Sequence, residues 1–421
     1  MERYKEYKDS KIQWIDKIPA NWEERKAKYV FAPRKTIVGN RSNEYELLSL
    51  TLQGVIKRDM ENPSGKFPSS FDSYQEVHKG DFVFCLFDNE ETPRTVGLSQ
   101  HDGMITGAYD VFTCQPTDVL PKYILYYYLT IDDFKLMKPI YRGLRKTIPY
   151  DSFMSYRIPL PPLPEQEKIV NYLESKTLNI DTYVAERERE LRLLNELKEA
   201  EIAKVVTQGL NPNVKMKESK TPFFGLIPEH WEERKMKYCF TERSEKNHPE
   251  EPVLCATQSQ GVIPQSMYQN RVVLVNKGFE GLKFVKVGDF VISLRSFEGG
   301  IEYAYYQGII SAAYTILTPI DKGYTVYYRM LFKSAPFIQL LQTCVTGIRE
   351  GQNINYQLLG RKHIPIPPAS ELNDIVSKIN DKCTRINSLI SELEAEINYL
   401  KEYKQRLIAD CVTGQINVQN E

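Results

Sequence analysis

Ile158-Pro-Leu-Pro-Pro-Leu-Pro164, followed by Glu165-Gln-Glu-Lys-Ile169 and a charged run that continues to Gln208, is the stretch that decides the fold. Its prolines forbid regular helix and hold the residue before each of them extended. From Glu165 onward neither proline nor glycine occurs until Gly209, so a long helix is predicted. Its apolar residues form two rows eleven apart: Ile169, Ile180, Leu191, Ile202, and Tyr172, Tyr183, Leu194, Val205. The same design returns as Ile364-Pro-Ile-Pro-Pro368, then Glu371 and a run free of proline and glycine as far as Gly414. There Leu372, Ile379, Ile386, Leu393, Leu400 and Leu407 recur every seven residues, flanked by Val376, Cys383, Ile390 and Ile397. That is a heptad seam. A stripe so narrow cannot be buried in its own domain, which predicts that the two helices pack on each other. Heptads favour left-handed and eleven-residue repeats right-handed supercoiling, so only a weak twist is expected.

Working outward, the whole chain reads as a tandem repeat. Ile18-Pro-Ala-Asn-Trp22-Glu-Glu-Arg-Lys26-Ala-Lys-Tyr29 is answered by Ile227-Pro-Glu-His-Trp231-Glu-Glu-Arg-Lys235-Met-Lys-Tyr238. Further matches keep register: Gln53-Gly-Val-Ile56 with Gln260-Gly-Val-Ile263, Gly80-Asp-Phe-Val83 with Gly288-Asp-Phe-Val291, and Gly143-Leu-Arg145 with Gly347-Ile-Arg349. A period this long means a duplicated domain rather than a solenoid. The predicted order is a globular unit over 1–160, a spacer helix over 161–210, a second unit over 211–366 and a second spacer helix over 367–421. Short β-rich segments such as Asp81–Leu86 and Asp289–Leu294, with helices near Lys122–Leu136 and Val326–Leu341, make each unit α+β. The copies keep their scaffold and change their loops, as Asp88–Arg94 against Arg295–Gly300 shows. Related scaffolds with different loops predict related but different targets.

Bulk properties narrow the function. The 421 residues allow two or three domains, and 55 Lys plus Arg balance 55 Asp plus Glu, so no global basic field attracts a polyanion. Nucleic-acid binding must then use local patches or a partner's charge. Seven cysteines without a Cys-x-x-Cys pair fit a reducing compartment and give no zinc signature. The charged N-terminus lacks a signal peptide and no apolar run spans a bilayer, so the expected location is cytoplasmic, with no membrane.

A search for catalytic motifs finds no phosphate-binding Gly-x-x-x-x-Gly-Lys loop, no Gly-x-Ser-x-Gly and no His-Glu-x-x-His. The Pro-Pro pairs are followed by Leu163 and Ala369, not by the aromatic residue an amino-methyltransferase uses. Glu24-Arg-Lys26 and Glu233-Arg-Lys235 give half of a metal-dependent nuclease site. Asp16 could complete the first, but no aspartate lies between Asp181 and Asp289 to complete the second. The expectation is a non-catalytic chain without a metal site. Trp22 and Trp231 read as core anchors rather than base-stacking platforms, and the runs Tyr126–Tyr128 and Tyr327–Tyr328 as helix packing on a sheet.

The loops are where binding is expected. Arg145 and Arg349 sit in the Gly-x-Arg turns, joined by Arg142 and Lys146 in the first copy and by Gln352 and Asn353 in the second. Gln53, Lys57 and Arg58 match in place Gln258 and Gln260, and the variable loops add Arg94 and Arg295. Arginine reads guanine bidentately and glutamine or asparagine reads adenine, while either type also clamps phosphate.

This layout resembles the specificity (S) subunit of type I restriction-modification systems. The likeness rests on the Ile-Pro-x-x-Trp openings, the Gly-x-Arg turns, the Pro-Pro-Leu-Pro-Glu165-Gln166 run, the paired long helices, and the tails Val206-Thr-Gln-Gly209 and Val412-Thr-Gly-Gln415. The second proline run departs from the family pattern, with Glu371-Leu372 in place of Glu-Gln. The resemblance implies two target recognition domains, each reading one half of a bipartite double-stranded DNA site. It also implies an antiparallel coiled coil that spaces them, with a seam through Ile169, Ile180, Leu191, Ile202, Leu372, Ile379, Ile386, Leu393 and Leu400. The implied partners are methyltransferase (M) subunits and a restriction (R) subunit, which would carry S-adenosylmethionine, ATP and Mg, leaving no cofactor in this chain. Independently, residues 165–208 as helix span about 66 Å, roughly two turns of DNA. A stand-alone bipartite DNA-binding protein and a coiled-coil assembly adaptor are the rival readings.

Overall fold

The start of each proline run forms a short strand, and each closes a pair with the repeat's opening motif. Arg157–Leu160 runs antiparallel to Glu23–Lys26, and His363–Ile366 to Glu232–Lys235. The computed structural model describes residues 2–59, 70–268, 278–347 and 353–419. It forms two compact units, Met1–Arg187 with Ala395–Glu421, and Glu188–Glu394.

Each unit holds a four-stranded antiparallel sheet in one and the same order. In the first it runs Phe31–Arg34, Asp110–Cys114, Asp81–Phe84, Val96–Leu98; in the second, Phe240–Arg243, Thr315–Pro319, Phe290–Ile292, Glu302–Tyr303. A hairpin accompanies each sheet: Leu48–Thr51 with Gly54–Lys57, and Leu254–Thr257 with Gly261–Pro264. Aromatic rings fill the space between sheet and helices. Phe31, Phe82, Phe84, Phe112, Tyr128 and Phe153 do so in the first unit, and Phe240, Phe290, Tyr328, Phe332 and Phe337 in the second. Tyr127, Tyr128, Tyr327 and Tyr328 are buried and Tyr126 is half-buried, which fits the expected helix lying on its sheet. The helix Pro121–Asp133 is single, but its counterpart is two: Thr325–Leu331 and Ala335–Gln342. Pro336, at the start of the latter, cannot continue the preceding helix because it lacks an N–H and its ring meets the turn before it.

The long helices run over Leu163–Gln208 and Ala369–Val412. Within each unit they pair antiparallel. In the first unit Lys404 Nζ donates to Asp181 at 2.6 Å and Tyr183 Oη to Glu396 at 3.0 Å. In the second unit Lys198 donates to Asn387 at 2.7 Å and Lys382 to Glu201. The second helix keeps its heptad, with Leu372, Ile379, Leu393 and Leu407 buried and Ile386 and Leu400 half-buried. The first helix departs from the expected eleven-residue rows. Its inward positions are Leu173, Thr177, Ile180, Val184, Arg187, Leu191, Leu194, Lys198, Glu201 and Val205, alternating four and three, while Tyr183 is exposed. This too is a heptad. Thr177, Arg187, Lys198 and Glu201 occupy seam positions, which hides the repeat from a count of apolar residues. Ile169 is buried, and Ile180, Leu191 and Ile202 are half-buried, so the named seam residues do face inward. With heptads in both helices, the basis for cancelling supercoils is gone.

Trp22 and Trp231, each 1 % exposed, lock these helices to their units. Trp22 Nε1 donates to Glu165 at 2.9 Å, where Tyr4 Oη (2.6 Å) and Asn21 (3.1 Å) also converge. Trp231 Nε1 donates to Glu371 at 3.1 Å, with His230 at 2.6 Å. Gly414, past the end of the second helix, packs on Pro19 and Trp22, and Gly209, past the end of the first, on Trp231. Each tryptophan therefore touches the start of one long helix and the end of the other. Tyr123 Oη repeats the theme by donating to the carbonyls of Pro159 (2.8 Å) and Val412 (3.1 Å), and Tyr327 Oη to those of Pro365 (2.8 Å) and Val206 (2.9 Å).

Candidate nucleic-acid interface

The variable loops leave the sheet at equivalent places, between Asp81–Phe84 and Val96–Leu98 in the first unit and between Phe290–Ile292 and Glu302–Tyr303 in the second. Each is anchored by a buried carboxylate. Asp132 accepts from Thr95 N (2.9 Å), Thr95 Oγ1 (2.7 Å), Lys135 (2.7 Å) and Arg94 (3.1 Å), and Arg94 also donates to Asp133 at 2.9 Å. Arg94 is thereby drawn inside, its side chain 15 % exposed, and braces its own loop. In the second unit Lys333 ties the loop down, donating to Glu302 at 2.6 Å and to the carbonyls of Gly299 at 2.8 Å and Gln258 at 3.2 Å. Burial raises the Glu302 carboxyl to about 7, and its Oε2 has no hydrogen-bond partner among the described residues.

Arg142-Gly-Leu-Arg-Lys-Thr147 is a tight hairpin in which Arg142 and Thr147 exchange two backbone hydrogen bonds of 2.9 Å. Gly143 and Lys146 both take positive φ, 68° and 46°, which lets the chain reverse within so few residues. Arg145 braces this turn: its guanidinium donates to Asp88 at 2.6 Å and lies 4.7 Å from the Phe87 ring centre, and its carbonyl accepts from Asp88 N at 2.6 Å. The arginine beside it holds the Asp88 carboxyl below its ordinary range. Lys146 stands 4.0 Å from Glu90 and is half-exposed. Arg142 is exposed and has no ion-pair partner among the described residues.

The remaining residues lie on hairpin tips and loops. Gln53 is exposed at the tip of its hairpin, and Lys57 is 3.7 Å from Glu46. Arg58 is half-buried beside them, its N–H donating to Leu47 O at 2.8 Å. Gln53 and Arg94 line a cleft of about 770 Å³ with Gln100, Leu129, Ile180 and Lys404. In the second unit Gln258 and Gln260 are exposed on the matching tip. Gln258 donates to Glu298 at 3.3 Å, and Glu298 N bonds Arg295 O at 3.0 Å, so Gln258 and the exposed Arg295 share one edge. Asn353 pairs with Thr346 in a short ladder, while Arg349 and Gln352 lie outside the described residues.

The Glu-x-Lys pairs that suggested half of a nuclease site have a structural use. Glu24 accepts from Ser10 Oγ (2.8 Å) and Lys11 N (2.7 Å), and Glu233 from Ser219 Oγ (2.7 Å) and Lys220 N (2.8 Å). Among the described residues no three His, Cys, Asp or Glu side chains are grouped to hold a metal, and no helix is long and apolar enough to cross a membrane.

Comparisons with known proteins agree with this architecture. A family model, the type I restriction modification DNA specificity domain, matches residues 104–191. The whole chain aligns at 24 % identity with 99 % of a protein of Methanocaldococcus jannaschii described as the MjaX specificity subunit of a type I restriction enzyme. A second protein of that organism, the MjaVIII specificity subunit, aligns at 25 % identity over 64 % of each chain. A chain from a solved structure concerned with complex assembly and conformational transition of the type I R-M system superposes with a TM-score of 0.66. It covers 95 % of this chain and 99 % of its own length at 15 % identity, a likeness of fold.

Proposed function

Because the chain belongs to the family of type I restriction-modification specificity subunits, we propose that its two units, over 1–160 and 211–366, each read one half of a bipartite, asymmetric double-stranded DNA site. The long helices, with their flanks over 161–210 and 367–421, set the gap between the halves and present the surface on which M subunits dock. In this reading the chain recognises and does not catalyse. Methylation of adenine from S-adenosylmethionine and ATP- and Mg-dependent cleavage belong to M and R partners, which also supply much of the phosphate contact that a chain of balanced charge lacks.

One observation carries the proposal. Two sheets of identical order are held by equivalent Trp–Glu clamps, yet the loops between their third and fourth strands differ: the first is braced by Arg94 on Asp132 and Asp133, and the second carries the short helix Ser296–Gly299. A scaffold kept twice with different reading loops suits two different half-sites. Arg295 is exposed in the second of those loops, and Arg142, Lys146, Gln53, Gln258 and Gln260 are exposed on turns and hairpin tips.

The spacer role is tested by inserting four residues into the first long helix. Four residues add about 6 Å of helix, so the gap in the methylated motif should grow by one to two base pairs while both half-sites stay the same. An unchanged gap in a complex that still methylates contradicts the ruler.

A further inference from the structure

Leu144 is the apex of the hairpin 142–147, and its side chain is fully exposed, at 101 %. A single exposed leucine is ordinary on a protein surface. This one sits at the tip of a hairpin fixed by a backbone bond pair, by the Arg145–Asp88 ion pair and by the stack on Phe87, so its position is determined rather than loose. Arg142, Arg145 and Lys146 surround it, and no apolar neighbour is available to cover it within the turn. The second copy also places an aliphatic residue between the glycine and the arginine, Gly347-Ile348-Arg349. An apolar point held at the centre of the cationic turn 142–147 is poorly explained by solvation.

We propose that Leu144 is an apolar probe for the DNA half-site read by the first unit, set against the C5-methyl group of a thymine in the major groove. This deepens the proposed function and rests on it. The major groove admits a two-stranded ribbon, and among base edges only thymine offers an apolar group there. Arg142, without an acidic partner among the described residues, is placed to meet a flanking phosphate, and Lys146, loosely held at 4.0 Å from Glu90, can swing to another. Arg145 is a positioning residue: its Nε and Nη2 donate to Asp88, and it fixes the tip. The acidic groups nearby, Asp88 and Glu90, leave the turn mildly cationic, consistent with close approach to the backbone while most phosphate contact comes from partners.

The test uses the full chain assembled with its methyltransferase subunits, on the motif that modification sequencing gives for the wild-type complex. Leu144→Ser should lose about 10-fold in affinity for the cognate site and should relax discrimination at one T·A position of one half-site, leaving the other half unchanged. Leu144→Met should behave as wild type. Replacing that thymine by deoxyuridine should cost the wild type a similar factor and the Leu144→Ser complex nothing. Arg142→Gln should instead weaken binding evenly across sequences and lower the salt slope by about one.

Three results overturn the inference while leaving the specificity role intact: a half-site without a T·A pair, discrimination unchanged in Leu144→Ser, or loss of methyltransferase co-purification in Leu144→Ser, which makes the tip a protein contact. A wild-type complex with no two-part motif overturns the underlying reading instead.

Discussion

The two helix starts solve one problem with different residues. In the first unit Glu165 receives Trp22 while the next residue, Gln166, is buried and satisfies three backbone groups: Leu120 N at 2.8 Å, Asp118 O at 3.0 Å and Pro161 O at 2.8 Å. In the second unit Glu371 receives Trp231, but the next residue is Leu372, which is simply packed in the core. The carbonyl left over, on Pro367, is taken by Tyr324 Oη at 2.9 Å, and Tyr324 stands where the first copy has Leu120. Glutamine plus leucine has been exchanged for leucine plus tyrosine. The carboxylate is thus the part of the junction that both copies require, while the amide can be replaced if another hydroxyl or amide reaches the same carbonyl.

The sharpest way to break this comparison is at the helix ends. Gly414 has φ of 73°, and a Cβ there would lie 2.3 Å from Pro19 Cδ, in a ring that cannot move aside. Gly209 has nearly the same φ, 72°, but its Cβ would meet Trp231 Cζ2 at 3.1 Å. Gly414→Ala should therefore destabilise the first unit by about 3 kcal/mol through backbone strain and overpacking, and Gly209→Ala the second unit by about half as much. Hydrogen exchange resolved by unit measures both, and equal losses would show that the close approach to Pro19 does not matter.

A smaller effect tests the exchange itself. Gln166→Leu strands buried backbone groups and should cost about 2 kcal/mol. The pair Gln166→Leu with Leu120→Tyr should recover part of that by restoring a donor to Pro161 O. No recovery would mean that Tyr324 is not the substitute for the amide.

The smallest effect at neutral pH concerns the loop anchors. Glu302, at about 7, holds its proton more tightly folded than unfolded, so the native state binds the extra proton between its ordinary value and 7. Stability of the second unit should then fall as pH rises through that window, by about 1.4 kcal/mol per pH unit at the steepest. Glu302→Gln should flatten the profile and change neutral stability little, because relief of the buried charge is offset by the loss of the Lys333 partner. A slope that persists in Glu302→Gln assigns the titration to another group.

Much of the architecture was legible because duplication made it so. A motif met once is ambiguous, but Ile-Pro-x-x-Trp, the proline run and the long helix met twice at matching intervals mark a duplicated unit. The tryptophans as anchors and the tyrosine runs as a helix on a sheet followed from residue type. The first helix departs in period because its seam accepts polar residues, and periodicity counts only apolar ones: Thr177 donates to Leu173 O and Arg187 lies over Tyr183 in the same helix, while Lys198 and Glu201 bond Asn387 and Lys382 across the pair. The break before Ala335–Gln342 is signalled by Lys333-Ser334 and Pro336, between two apolar stretches that read as one helix.

The candidate interface was less legible for a physical reason. Whether an arginine is free depends on carboxylates far away in sequence: Asp88 lies 57 residues from Arg145, and Asp132 lies 38 from Arg94. Loop composition shows the cations, but only the fold shows which are already spent on bracing. Leu144 was hidden for the opposite reason, since a leucine between charged residues attracts no notice until its exposure is known.

The central claim is that this chain specifies the DNA sequence to be methylated. Single-molecule sequencing of DNA modification, in source cells with and without the gene, tests it most directly. The account predicts that an adenine-methylated motif of two parts with a fixed gap disappears on deletion and returns on complementation. Every modified motif persisting unchanged without the gene, in cells shown to express it, would contradict it.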